Sequence, residues 1–195
     1  MNASLHRRSV VDALLARRGK LLVVAGLGSA AWDCAAAGDH PLSFPLWGAM
    51  GSAGMIGLGL ALAQPSRRVL VITGDGEMLM GLGSLATIGT RRPGNLAIVV
   101  LDNERYGETG MQKSHTAYGV DLAAIASACG FAEARTIEKN SEIAAVRSGV
   151  YGGRGPLFYQ VKVKREHLPL VLPPRDGAWL KHRFRKELLG KNATA

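Results

Sequence analysis

Four stretches of the chain are almost unbroken in apolar residues: KLLVVAG (20–26), RVLVITG (68–74), NLAIVVLDN (95–103) and PLFYQVKV (156–163). The first three are nearly continuous in Val, Leu and Ile, which fits strands covered on both faces rather than the alternation of half-exposed ones. Between the runs, the spacing of apolar positions predicts helices over 5–18, 51–64, 77–91, 121–130, 141–149 and 177–189. In the first of these, Val10, Val11, Leu14 and Leu15 share a face. Strands alternating with helices imply an α/β fold, an open parallel sheet with helices on both faces. The segment HLPLVLPPRDG (167–177) is Pro-rich and is expected to be an extended connection to a last basic helix. Residues 1–195 therefore read as one domain with 166–195 as a C-terminal extension, without internal repeats.

The longest apolar stretch, PLWGAMGSAGMIGLGLALA, is short for a membrane span and full of glycine, so it predicts a buried helix entered through a glycine loop. The N-terminus lacks the unbroken apolar core and small-residue cleavage site of a signal peptide. Cys34 and Cys129 have no metal-ligand spacing, and a reduced, cytoplasmic protein is the expectation. A chain of 195 residues that is 47% hydrophobic and 20% charged can build a single core.

The net charge of +9 adds a question about partners. The basic residues come as scattered pairs, Arg7-Arg8, Arg17-Arg18, Arg67-Arg68 and Arg91-Arg92, without a long block or interleaved aromatics. This gives little support to nucleic-acid binding. A basic face meeting an acidic subunit or an anionic ligand fits better.

Two glycine motifs follow strands. Gly26-Leu27-Gly28-Ser29-Ala30-Ala31 fits the G-x-G-x-x-A dinucleotide fingerprint. The helix after it is short and ends at Gly38, and no second strand closing on an acidic residue follows at the required distance. The motif therefore reads as a tight strand-to-helix turn with no ligand. The second motif is VITGDGEMLM (71–80), where a buried strand runs into Gly74-Asp75-Gly76; the next strand closes on Asp102-Asn103. Two adjacent parallel strands place Asp75 and Asn103 at the same carboxyl edge, where open α/β sheets bind ligands. A carboxylate and an amide oxygen are hard donors suited to Mg²⁺ or Ca²⁺. Gly76 leaves backbone N–H groups open at a helix start, which attracts phosphate oxygens. The pair of motifs reads as a metal-diphosphate site.

Gly-Asp-Gly, then 26 residues, then the Asn103 that closes VVLDN, resembles the cofactor motif of the thiamine-diphosphate-dependent enzymes. NERYG resembles its N-x-x-Y-G ending, and LWGAMGSAGMIGLGLALAQP resembles the upstream G-x-M-G stretch of that family. The resemblance covers roughly residues 35 to 165 and is greatest to the separate β subunits of sulfopyruvate decarboxylase and phosphonopyruvate decarboxylase-like enzymes. It implies a three-layer thiamine-diphosphate-binding fold of the diphosphate-binding type. It implies Mg²⁺ held by Asp75, Asn103 and the backbone carbonyl of Arg105. It implies a thiamine diphosphate site at Met50, Gly51, Gly74, Asp75, Gly76, Glu77, Asn103, Arg105, Tyr106 and Gly107, with Met50 propping the bent cofactor. It implies a separate pyrimidine-domain α subunit that supplies the activating glutamate, in a hetero-oligomer that decarboxylates a 2-oxo acid.

The loop GETGMQKSHT offers Gln112, Ser114 and His115 as candidate catalytic groups, with Lys113 as a candidate contact for an anionic substrate. The other histidines, His6, His40, His167 and His182, read as surface or capping residues. Two enzyme alternatives stand beside decarboxylation, a carboligase and a 2-oxo acid dehydrogenase component. The non-enzyme alternative is a basic binding module.

Overall fold

A computed structural model describes residues 5–194. In chain order the elements are α1 (Arg7–Leu15), β1 (Leu22–Ala25), α2 (Ser29–Ala36), β2 (Ser43–Pro45), α3 (Ala53–Ala63), β3 (Val69–Gly74), α4 (Asp75–Met80), α5 (Ser84–Arg91), β4 (Leu96–Asp102), β5 (Arg105–Tyr106), β6 (Gln112–Lys113), α6 (Leu122–Ala128), β7 (Glu133–Ile137), α7 (Ile143–Gly152), β8 (Leu157–Lys162) and α8 (Gly177–Leu189). Six strands form one parallel sheet in the order β2-β1-β3-β4-β8-β7. Among the described residues, no helix is long and apolar enough to cross a membrane.

Each central strand divides its side chains between two cores with a period of two. Val23, Leu70, Ile72, Val99 and Tyr159 pack on α1, α2 and α7. Leu22, Val71, Ile98, Val100 and Phe158 pack on α3, α5 and α6. Every residue of β4 is buried, which explains why NLAIVVLDN carries no polar alternation.

The structure adds what apolar runs alone did not predict. Strands β2 and β7 lie at the two edges of the sheet, and β5 and β6 form a separate antiparallel ladder between Asn103 and Ser114. The helix expected over 77–91 is two helices, α4 beginning already at Asp75 and α5 at Ser84. The break is a backbone contact. A Cβ on Gly81 would drive into the Gly51 carbonyl, and Gly51 itself sits at φ +92, so the turn at 81–83 docks closely on the loop before α3.

The C-terminal extension wraps the β2 edge. Arg8 donates to the Pro169 carbonyl at 3.0 Å, the Trp47 indole N–H donates to the Pro174 carbonyl at 2.8 Å, and the Asp176 side chain caps α8 at the Trp179 N–H. Phe184 of α8 meets Phe44 of β2 edge-on with centroids 5.6 Å apart, and Arg183 pairs with Asp39. The helix thus covers an edge strand that would otherwise be open to pairing.

Candidate cofactor and metal site

The site begins with register. Strands β3 and β4 are adjacent and parallel, with Gly74 opposite Leu101. Asp75 and Asp102-Asn103 therefore leave the sheet side by side at its carboxyl edge. Gly74 is extended (φ −96°, ψ 164°), and α4 starts at the next residue, which holds Asp75 at the strand end.

Asp75 is 2% exposed. Burial first, and the neighbouring Asp102 second, push its carboxyl up to about 6; the Ser114 hydroxyl and the N–H groups of Asp75 and Asn103 act the other way. Asp102 is committed elsewhere: it accepts from Thr116 Oγ1 at 2.7 Å, Gln160 Nε2 at 2.6 Å, Lys162 Nζ at 2.9 Å and the Glu104 N–H at 3.0 Å. Asn103 Oδ1 accepts the Arg105 N–H at 2.9 Å, an Asx turn with Glu104 at its centre at φ +61. That turn bends the chain into β5.

Of the ten residues that the cofactor motif implies, all but Gly51 line one cleft. Gly51 stands behind the cleft wall, against Gly81. Gly76 is required by its neighbour: a Cβ there would lie 2.6 Å from the Tyr106 ring and 3.6 Å from the Met50 methyl, so Met50, Gly76 and Tyr106 converge. Glu77 turns its side chain towards β1. Its Oε2 accepts from Thr73 Oγ1 at 2.8 Å, and a Cβ on Gly26 would collide with it. Burial raises the Glu77 carboxyl, opposed by the Thr73 hydroxyl and by backbone N–H groups of Ala53, Gly51 and Leu27.

The candidate catalytic loop residues lie outside the cleft. Ser114 is fully buried beneath Asp75, within 2.9 Å of Thr116 Oγ1. Gln112 is exposed and folds back on Thr109, donating to its carbonyl at 2.7 Å. His115 is exposed, and Lys113 lies over the Tyr118 ring at 5.4 Å.

The cleft also takes in residues that the motifs did not mark. Leu27, Ser29 and Ala30 line it, so the glycine turn expected to carry no ligand opens onto the same space. Its position directly after a buried strand was the available signal. Arg7 of α1 reaches the cleft wall while 6% exposed, with Nη1 3.0 Å from Asp33 Oδ2. Thr116, which joins Asp75 to Asp102, is a loop hydroxyl with no sequence signature.

The donor set fits a hard cation beside a diphosphate. One buried carboxylate, one side-chain amide and a glycine turn offer few charges, which suits a metal that completes its shell with phosphate oxygens and water. Among the described residues there is no group of three or more His, Cys, Asp or Glu side chains placed to hold a metal.

Residues 29–161 match the family described as thiamine pyrophosphate enzyme, C-terminal TPP binding domain. The chain is 40% identical to sulfopyruvate decarboxylase subunit beta of Methanothermobacter thermautotrophicus over 170 residues, 87% of this chain and 88% of that protein. It is 37% identical to the phosphonopyruvate decarboxylase of Streptomyces viridochromogenes over 84% of this chain but 41% of that protein. The crystal structure of benzoylformate decarboxylase from Polynucleobacter necessarius superposes with a TM-score of 0.69 at 20% identity, covering 86% of this chain and 34% of that one, a likeness of fold. The chain belongs to the thiamine pyrophosphate enzyme family and carries its C-terminal TPP-binding domain.

Proposed function

We propose that the chain is the β subunit of a thiamine-diphosphate- and Mg²⁺-dependent 2-oxo acid decarboxylase of the sulfopyruvate or phosphonopyruvate type, acting in the cytoplasm. The observation that carries this reading is the pairing of Asp75 and Asn103 at adjacent strand ends in a chain that aligns with a β subunit over 88% of that subunit's length. Asp75, Asn103 and the Arg105 carbonyl hold the metal. Backbone groups at Gly76, Glu77, Tyr106 and Gly107 would hold the diphosphate, and Met50, beside Gly76, would support the cofactor. Bound thiamine diphosphate supplies the electron sink for loss of carbon dioxide.

The chain's own residues set the geometry. Thr116 and Ser114 fix Asp75 from below, and Glu77 spends its carboxylate on Thr73 and is thereby kept from proton transfer at the far end of the cofactor. As the family resemblance implies, the activating glutamate comes from a pyrimidine-domain α subunit. His115 and Gln112 sit on the exposed loop beside the site, where they meet substrate once the partner covers this edge, and Lys113 offers a positive charge to an anionic substrate.

Co-expression with the candidate partner, followed by assays of carbon dioxide release from sulfopyruvate, phosphonopyruvate and pyruvate, tests the reading. Turnover that requires both chains, cofactor and Mg²⁺ supports it. Full turnover by this chain alone contradicts the division of labour, and acyloin products without free aldehyde favour a carboligase.

A further inference from the structure

Strands β1, β3, β4 and β8 all begin at the edge of the sheet opposite the cofactor cleft, roughly 20 Å away for strands of this length. Every loop that feeds them is basic. Segments 16–21 (ARRGKL), 64–68 (QPSRR), 91–95 (RRPGN) and 152–156 (GGRGP) carry eight Lys and Arg residues and no Asp or Glu. Hydrogen bonds knit these loops into one surface. Arg67 Nη2 donates to the Lys20 carbonyl at 2.9 Å, Arg68 Nη1 to the Gly94 carbonyl at 3.2 Å, and the Gly155 N–H to the Gly94 carbonyl at 2.8 Å.

Two of the eight are structural. Arg18 is buried on Ser43, Leu21 and Leu42, and Arg68 is spent on the carbonyls of Gly94, Gly149, Val150 and Gly153. Arg91 and Arg92 are different. Both are exposed, and neither side chain has a hydrogen bond or ion pair among the described residues. Arg67 keeps a buried Nε without a partner. Between these loops lies a cleft of about 470 Å³, walled by Arg67, Arg68, Arg91 and Arg92 together with Leu62, Pro65 and Pro93. That volume is within the range of small-molecule sites.

We propose that this cleft binds a small polyanion carrying two or more linked phosphate groups, of the class of nucleoside polyphosphates and inorganic polyphosphate. The lining of this concavity holds four arginines and no carboxylate; with Arg68 held by backbone carbonyls, the guanidinium groups of Arg67, Arg91 and Arg92 are the ones left to face a ligand. Guanidinium forks match phosphate oxygens in pairs, and several spaced forks favour linked phosphates over a single one. Leu62, Pro65 and Pro93 form an apolar wall for an uncharged portion of the ligand. Nucleic acid fits less well, because the four loops contain no aromatic residue on which a base can stack. The site lies at the C-terminal ends of α3 and α5, whose other ends carry the Gly51–Gly81 contact behind the cofactor cleft, and the proposal does not depend on what that cleft binds.

The test titrates sodium tripolyphosphate calorimetrically into the metal-free chain carrying Asp75→Ala, which removes the metal-dependent diphosphate site from the measurement. The same titration is made with Arg91→Gln and Arg92→Gln added singly and together, with melting temperatures as the check on folding. The expected result is saturable one-to-one binding that weakens roughly tenfold or more in the folded arginine variants and with rising salt. Absence of binding, or equal binding by the variants, overturns the proposal. Tighter binding of a single-stranded oligonucleotide through the same arginines overturns it in favour of a nucleic-acid groove.

Discussion

Asp75 and Asp102 face one hydroxyl: Thr116 Oγ1 stands 3.4 Å from Oδ2 of the first and 2.7 Å from Oδ1 of the second. Asp102 also accepts from Gln160 and Lys162, while Asp75 has no cationic partner among the described residues. Burial first, and Asp102 second, push the Asp75 carboxyl up to about 6. A divalent cation at Asp75 would oppose that shift.

This gives a stability effect with a definite sign. Between the ordinary carboxyl range near 3.8 and about 6, the metal-free folded chain holds the Asp75 proton more tightly than the unfolded chain does. The Asp75 contribution to stability is therefore present below that window and lost as pH rises through it. Metal-free Asp75→Asn is expected to melt above the wild type at pH 7.5 and level with it at pH 4. Thermal melts of both proteins across that range check the prediction, and the variant should also lose Mg²⁺-dependent cofactor binding.

Gly76→Ala places a methyl 2.6 Å from the Tyr106 ring. The ring must move, at a cost of about 1–3 kcal/mol in stability, as for other overpacked sites. The cleft wall moves with it, so cofactor affinity falls. Calorimetry and chemical denaturation measure the two effects separately, and unchanged cofactor affinity would show that Tyr106 does not shape the site.

Phe184→Ala removes the aromatic contact between α8 and β2. Truncating a buried phenylalanine costs about 3–5 kcal/mol. Hydrogen exchange is expected to rise in β2 and α8 and to stay low in β3 and β4, because the sheet centre is held by other contacts.

Cys34 is expected to be inert. Burial pushes its thiol up to about 12, so almost no thiolate exists at neutral pH. Iodoacetamide at pH 8 should leave Cys34 unmodified in the folded chain and alkylate it after unfolding, as read by peptide mass spectrometry.

The parts of the fold legible in the sequence are those with long apolar runs. VITGDG and VVLDN each end a fully covered strand, so their neighbouring placement and the cleft they share could be inferred before any coordinates. Edge strands gave no such signal. β2 is three residues closing on Pro45, too short for any periodicity, and β7 is the half-exposed EARTI, in which Glu133 and Arg135 leave no apolar run. Charged, short edges are how sheets avoid pairing with other chains, and that same property hides them from pattern reading. The break at Gly81–Gly83 was hidden for another reason: it depends on a backbone contact with Gly51, thirty residues away. Arg7 and Thr116 reach the site only through tertiary packing, so nothing in their local sequence marks them.

Native mass spectrometry of the chain isolated from its own host under mild conditions is the most direct measurement. One spectrum reports partner, stoichiometry and bound cofactor together. The expected spectrum shows a complex with a second chain that carries the mass of thiamine diphosphate and Mg²⁺, with both small ligands absent when Asp75→Ala replaces the wild type. A chain that assembles only with itself, and stays free of both after cofactor and metal are added, would contradict the proposed function.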